Sequence, residues 1–220
     1  MKKYLSFGGG INSTALLLLL NSKDIEFETI FVDHGGDYPH TYYYVKYLQD
    51  QGFDITIIRP NVDGWCSSLP EYCFKYKIRP LRQYRWCTYK FKIMPIRSYV
   101  KKPCEMYIGI SYDERHRVRD SGVKGVENKY PLVEEKITRG DCIRIIKEHD
   151  LEVPKRSGCW FCPFQGKKQI RQLYLEYPEL YEKLKEMESW DGCKNWFNQP
   201  ISKMAMEKVL SLSSFLEEEE

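Results

Sequence analysis

A chain of 220 residues is long enough for one sizeable hydrophobic core with a small appended lobe, and 42% hydrophobic with 30% charged residues describes a soluble globular protein. The longest apolar run, Ala15 to Leu20, is far too short to span a bilayer, and no charged-apolar-small pattern marks a secretion signal, so a cytoplasmic protein with no membrane partner is expected. The net charge of +3 conceals an asymmetry: residues 72–104 hold ten Lys/Arg and no carboxylate, which leaves −7 on the rest of the chain.

In chain order, Lys3–Phe7 reads as a buried strand, followed by a Gly8-Gly9-Gly10 loop and an apolar helix from about Asn12 to Asn21. Phe27–Asp33 (FETIFVD) is a second strand, Tyr42–Gln51 has helical spacing, and Asp54–Arg59 (DITIIR) is a third strand. Glu105–Ser111 (EMYIGIS) is a fourth. Strands separated by helical segments of this length predict βαβ units and a parallel sheet. Thr138 with Asp141 three residues on has the pattern of a capping box, opening a helix to about His149. After Pro154 the pattern changes to a loop, a CxxC and amphipathic helices rich in Leu, Tyr, Glu and Lys. The boundary therefore falls near there, with a domain over 1–153 and a helical region over 154–220. The Glu217–Glu220 run reads as a solvated tail.

A glycine-rich turn between a first strand and its helix is where an α/β sheet cradles phosphate, through backbone N–H groups, the helix N-terminus and absent β-carbons. The alternative is a tight turn without a ligand. There is no Gly-Lys-Ser/Thr for a Walker-type loop, and the third glycine comes too early for GxGxxG. What remains is Gly-Gly-x-x-Ser-Thr, with the Ser13 and Thr14 hydroxyls in the first helical turn.

Eight cysteines in a reducing compartment point to metal or redox chemistry rather than a disulfide framework. Cys159-Trp-Phe-Cys162-Pro is the sharpest local signal. It has the spacing of half a metal or cluster site, and its late position after Gly158 ranks metal above a thioredoxin-type dithiol. Cys104 and Cys142 read as small buried hydrophobes. The basic residues of 72–104 alternate with Tyr72, Phe74, Tyr76, Tyr84, Trp86, Tyr89, Phe91 and Tyr99. Cations interleaved with aromatics suit a polyanion that offers bases to stack on, such as tRNA or other nucleic acid; the competing reading is a solvated face.

Gly8-Gly9-Gly10-Ile11-Asn12-Ser13-Thr14 resembles the SGGxDS pyrophosphate loop of the adenine nucleotide alpha-hydrolase-like superfamily, with Gly8 at the first Ser and Asn12 in place of Asp. "FVDHGGDYPHTYYYV" (31–45), "RWCTYKFKIMPI" (85–96), "GISYDERHRVRD" (109–120), "YPLVEE" and "SGCWFCPF" (157–164) resemble, in the same order, blocks of the phosphoadenosine phosphosulfate reductase family. The resemblance covers about residues 4–165. It implies a parallel doubly wound sheet of the HUP-like, adenine nucleotide alpha-hydrolase type, with a small C-terminal helical lobe carrying a cysteine cluster. It further implies an adenine nucleotide, ATP or phosphoadenosine phosphosulfate, at Gly8, Gly9, Gly10, Asn12, Ser13 and Thr14. Asp33 is then placed for ribose or for a metal such as Mg²⁺, or it stabilises a turn. Arg115, Arg117 and Arg119 follow the fourth strand, where an arginine fork suits phosphate or sulfate; Arg115 is assigned to catalysis and Arg117 to nucleotide binding.

The family's cysteine block places Cys87 with Cys159 and Cys162. Where related enzymes have a second cysteine for a [4Fe-4S] cluster, this chain has Thr88, so Cys193 is the first candidate for a fourth ligand, ahead of Cys66 and Cys73. Zinc is the alternative metal. Three readings follow. The first is a sulfur-transfer enzyme that adenylates an acceptor and delivers sulfur from a cluster, from a donor that the residues do not name. The second is a sulfonucleotide reductase with Cys193 as the mobile thiol. The third is a nucleic-acid-binding module with structural zinc. A homodimer is compatible with all three.

Overall fold

The strand–helix alternation is realised in a computed structural model that describes residues 1–190, 196–197 and 199–206. In chain order the strands are β1 (Lys2–Phe7), β2 (Glu28–Val32), β3 (Ile55–Ile58), β4 (Cys104–Ile108) and β5 (Val126–Lys129). The helices are α1 (Ile11–Ser22), α2 (Pro39–Asp50), α3 (Leu69–Tyr76), α4 (Trp86–Thr88), α5 (Met94–Tyr99), α6 (Pro131–Glu134), α7 (Arg139–Glu148), α8 (Lys167–Glu176), α9 (Pro178–Ser189) and α10 (Ile201–Met206). A π-helical turn, Tyr89–Ile93, precedes α5, and a 3₁₀ helix, Tyr112–Arg117, follows β4. No helix among the described residues is long and apolar enough to cross a membrane.

The chain divides into two compact units, Met1–Ser68 with Thr88–Gly158 and Leu69–Cys87 with the residues from Cys159 onward. In the first unit five parallel strands lie in the order β3-β2-β1-β4-β5. Successive side chains of a strand point to opposite faces, and both faces of a parallel sheet need cover. Leu5 and Phe7 join Leu16, Leu17, Leu18 and Leu20 of α1, Val45 and Leu48 of α2, and Cys142 and Ile146 of α7 in one layer. Tyr4 points the other way, to Ile30, Val100, Cys104 and Met106. Because α1 is buried on nearly every side, its leucines run without polar interruption. Each buried leucine contributes about 1.5–3 kcal/mol by area removed from water. The helix that Thr138 opens is α7: Asp141 N–H donates to Thr138 Oγ1 (3.3 Å) and Thr138 N–H to Asp141 Oδ2 (3.0 Å), the reciprocal bonds of a capping box.

The second unit is helical. Tyr72 and Cys73 of α3, Ile170 and Leu173 of α8, Leu184 and Met187 of α9 and Ile201 of α10 supply its buried side chains. Residues 69–87 are tied to the later chain by Phe74 edge-on to Trp190 (5.1 Å between centroids), Trp196 Nε1 donating to the Pro80 carbonyl (2.9 Å) and Arg82 Nε donating to the Pro163 carbonyl (2.7 Å).

Two elements depart from the sequence expectation. β5 (VENK) is an edge strand with no fully buried residue, so its sequence lacks the apolar run of a central strand. α3 lies in a stretch for which the sequence pattern predicts no element, and it carries Pro70 in its first turn, where proline's missing N–H costs nothing.

Candidate active site

β1 and β4 are neighbours in the sheet, while the chain from β1 runs outward to β2 and β3 before it returns to β4. Their carboxyl ends flank the switch point where open α/β sheets bind ligands. Gly8–Gly10 leave β1 there. Gly9 has φ of +66°, a conformation that side chains rarely adopt, and a β-carbon on it would stand 2.8 Å from Thr41 Cγ2 of α2. Gly10 is the N-cap of α1. Ser13, three residues on, turns its hydroxyl back over the loop and accepts from the N–H groups of Gly8 (3.3 Å) and Gly10 (3.2 Å) while donating to the Gly10 carbonyl (3.0 Å). Thr14 Oγ1 also donates to that carbonyl (3.0 Å). The two hydroxyls thus hold the loop in shape. The N–H groups of Gly9, Ile11 and Asn12 take no acceptor from the described residues and form a set of donors at the start of a twelve-residue helix.

Asn12 is buried, and its amide joins three elements. Nδ2 donates to Ser111 Oγ (3.2 Å) and to Glu114 Oε2 of the 3₁₀ helix (3.1 Å), and Oδ1 accepts from Arg139 Nη1 at the start of α7 (3.3 Å). Glu114 is also paired with Arg117. Behind the strand end, a β-carbon on Gly109 would meet the Ser13 backbone at 2.9 Å, so only glycine lets β4 approach α1 this closely. Asp33 lies at the end of β2, with Oδ1 accepting from Gly35 N–H (3.1 Å) and Oδ2 paired with Arg59 (3.2 Å). Arg115 folds over the Tyr112 ring (4.7 Å) and donates to the Tyr112 carbonyl, and Arg119 donates to the carbonyls of His116 and Val118. Gly8–Thr14 and, through Asn12 and Glu114, Arg117 are therefore gathered at one place, whereas Asp33 and Arg115 make their bonds elsewhere. Arg139, Glu114, Ser111 and Ser157, whose Oγ lies 2.5 Å from where a β-carbon on Gly10 would stand, complete the surroundings of the loop. Ser111 and Glu114 lie within the 109–120 block and Ser157 within the 157–164 block without being singled out there, and Arg139 lies in no block. The one available signal is Asn12 itself, an amide where the pattern has a carboxylate.

The loop after β2 carries a second polar group. His34 Nδ1 accepts from Gly36 N–H (3.1 Å), which leaves the proton on Nε2, facing Asp37 Oδ2 at 3.3 Å. Lys92 of the π-helical turn approaches Asp37 Oδ1 at 3.6 Å. Burial works to raise the Asp37 pKa, but Lys92 and His34 more than reverse it and hold the carboxyl well below the ordinary carboxylate range. Asp37 is thus a buried anion with its countercharge alongside.

Cys87, Cys159 and Cys162 all belong to the second unit and are all half-buried, unlike the buried Cys66, Cys73, Cys104 and Cys142. Cys162 N–H donates to the Cys159 carbonyl (3.2 Å), as does Gln165 Nε2 (2.6 Å), so the CxxC backbone is wound into a tight turn. Burial raises the thiol pKa of Cys104 and pushes that of Cys142 up to about 11. Both are poor metal ligands and nucleophiles at neutral pH. Cys193 lies outside the described residues.

The ten cations of residues 72–104 are shared between the two units, and several have protein partners. Lys77 sits over Trp190 (4.8 Å) and Arg79 over Trp196 (5.2 Å), Lys90 faces Asp63 (3.4 Å), and Arg97 donates to the Ser121 carbonyl (3.1 Å). Tyr72 and Phe91 are buried.

The sequence profile of the phosphoadenosine phosphosulfate reductase domain matches residues 2–131. Two uncharacterized proteins of Methanocaldococcus jannaschii are similar. One is 26% identical over 93% of this chain and 54% of its own length, the other 25% identical over 81% and 39%. The chain thus spans about half or less of the curated relatives it matches. Among solved structures, the phosphoadenylyl-sulfate reductase of Candida auris, crystallised as a phosphate complex, superposes with a TM-score of 0.56 at 18% identity, covering 73% of this chain and 82% of that one. That likeness concerns the fold. With more than half its length matched by the profile and a parallel sheet that places a glycine loop at the switch point, this chain belongs to the phosphoadenosine phosphosulfate reductase domain family.

Proposed function

We propose that the domain binds an adenine nucleotide across Gly8–Thr14 and uses it to activate an acceptor for sulfur transfer. The observation that carries this reading is the loop at the switch point, where the N–H groups of Gly9, Ile11 and Asn12 take no acceptor from the described residues while Ser13 and Thr14 hold its shape. In the first step an acceptor oxygen attacks the α-phosphorus of ATP; its proton passes to water and the bond to pyrophosphate breaks. In the second, sulfur at the sulfide level bonds to the acceptor carbon as the carbon–oxygen bond breaks, and AMP leaves with the oxygen. No electrons change hands overall. The loop's part is to position the phosphates and neutralise charge that grows on them.

Cys87, Cys159 and Cys162 are half-buried, in one unit and flanked by basic residues, which suits a thiolate-ligated metal by donor type, although among the described residues their three thiols do not gather within 4.8 Å of one another and would have to close up around the ion. They would hold zinc or an iron–sulfur cluster: with Cys193 as a fourth ligand every position is taken, whereas with these three cysteines alone one iron would stay open and supply a place for sulfide.

A second reading, sulfonucleotide reduction, is favoured by the family profile. Here a cysteine thiolate attacks the sulfate sulfur of phosphoadenosine phosphosulfate and the adenosine bisphosphate leaves. Calorimetric titration of the anaerobically purified protein with ATP and with phosphoadenosine phosphosulfate separates the two, alongside iron and sulfide analysis. Tighter binding of ATP is expected. Tighter binding of the sulfonucleotide puts the reductase first, and binding of neither overturns the phosphate-loop assignment.

A further inference from the structure

We infer that Arg139 is a phosphate-binding residue of this site, and that asparagine at position 12 keeps its charge available; the inference rests on nucleotide binding at Gly8–Thr14. Asn12 sits in the first turn of α1, only 8% exposed. The orientation of its amide is dictated by its neighbours. Glu114 is a pure acceptor when ionised, so Nδ2 must face it, and Oδ1 is left to face the Arg139 guanidinium (3.3 Å). A carboxylate in place of the amide would do two things. It would set a second negative charge against Glu114, and it would form a salt bridge with Arg139 that satisfies the cation within the protein. The neutral amide steers Arg139 with a dipole and leaves its net charge intact.

The rest of the surroundings agree. Glu114 shares its charge with Arg117 through Oε1. The Asp113 carboxylate accepts from the Arg139 backbone N–H (2.6 Å), which fixes the main chain rather than the guanidinium. Asp141 is engaged by Thr138 and by Arg144. Of the five N–H donors of the Arg139 side chain, one goes to Asn12, and the others take no acceptor from the described residues. Arg139 is also the first residue of α7, where the helix dipole disfavours a cation by about 0.3–1 kcal/mol. An arginine held in that position by a buried amide, against the first turn of the glycine-loop helix, has spare donors suited to the oxygens of a phosphate chain.

The test is titration of the full chain and of Arg139→Gln, Arg139→Lys and Asn12→Asp with ATP, phosphoadenosine phosphosulfate and inorganic pyrophosphate at several salt concentrations, with thermal melting of each ligand-free protein. The loss of one charge-assisted phosphate contact is expected to weaken binding about 10–100-fold in Arg139→Gln. The log–log salt slope should also flatten, Arg139→Lys should recover part of the affinity, and ligand-free melting should stay close to that of the unaltered protein. Asn12→Asp should weaken binding in the same direction while Arg139 is still present. Undiminished affinity and an unchanged salt slope in Arg139→Gln overturn the role of Arg139 alone. An unaltered protein that binds none of the three ligands overturns the nucleotide reading together with it.

Discussion

Two polar groups in the first unit sit on neighbouring loops and are built on opposite terms. After β2, the buried Asp37 has Lys92 and His34 against its two oxygens, so its charge is countered inside the fold. After β1, the glycine loop and Asn12 are held by Ser13, Ser111 and Glu114, yet backbone N–H groups and most of a guanidinium are left over. Burying a charge is costly unless it is compensated, so a countered charge is what a fold needs. Spare donors at a sheet's switch point are what a ligand needs. The two loops therefore predict different casualties on mutation, stability for one and binding for the other.

The largest effect is expected at the Asp37 cluster. Lys92→Met leaves the buried Asp37 without its ammonium partner; because Lys92 is itself 38% exposed and 3.6 Å away, the cost should fall below that of a fully buried pair, at about 1–3 kcal/mol. For a domain of this size that is a fall of roughly 5 °C in Tm, readable by calorimetry or circular dichroism. The sign with pH follows from the depressed pKa of Asp37. The stabilisation is full above its ordinary value of 3.8 and is lost as pH falls through the lower folded value, so the gap between unaltered protein and variant should close in acid. A gap that widened in acid would show that Asp37 is not held as an anion. Nucleotide affinity per folded molecule should change little.

Next comes the loop. Gly9→Ala combines a positive φ with a contact at 2.8 Å to Thr41 and should lower stability by about 1–2 kcal/mol as well as binding. Gly8→Ala meets nothing within 4 Å, so its melting temperature should be unchanged and any loss must appear in ATP titration. If Gly8→Ala binds normally, the phosphates do not pass over that end of the loop.

The cysteines extend the contrast to the second unit. Cys87→Ala, Cys159→Ala and Cys162→Ala should each lose most of the bound iron or zinc, whereas Cys104→Ala and Cys142→Ala should keep it. With its thiol near pKa 11, Cys142 should also resist alkylation in the folded protein at pH 8, where about one part in a thousand is thiolate. Full metal content in the Cys87 variant would show that the wrong thiols were joined.

What the sequence makes legible follows from how local the cause is. β1 to β4 are apolar runs because both faces of a parallel sheet are covered, and the Thr138–Asp141 cap needs only residues three apart. The polar edge strand β5 carries no such signature. The glycine loop is visible because its backbone demand is written in consecutive residues. Its partners Ser111, Glu114 and Arg139 come from 99 to 127 residues away and are brought together only by the sheet order, so the 109–120 block marks a segment but no spacing rule pairs its residues, or Arg139, with Asn12. Charge counting over 72–104 gave a single basic stretch, because composition does not register which unit each cation joins or which aromatic ring it covers.

That last point sets the smallest effect and the sharpest version of the comparison. If nucleic acid is the acceptor, its phosphates must be met by cations that the protein has not already engaged. Arg79 and Arg82 do not qualify, since one lies over Trp196 and the other donates to the Pro163 carbonyl; reversing them would injure the second unit. Arg85, Lys101 and Lys102 are exposed. Changing these three to Glu should leave melting and ATP affinity nearly unaltered. Each phosphate contact to a single strand contributes about 0.7 to the slope of log affinity against log salt, so tRNA or single-stranded RNA binding should lose up to about two in slope. A slope that stays constant while binding persists would place the polyanion on other cations. A protein that binds no RNA at low salt would make residues 72–104 a structural segment, and the acceptor a small molecule.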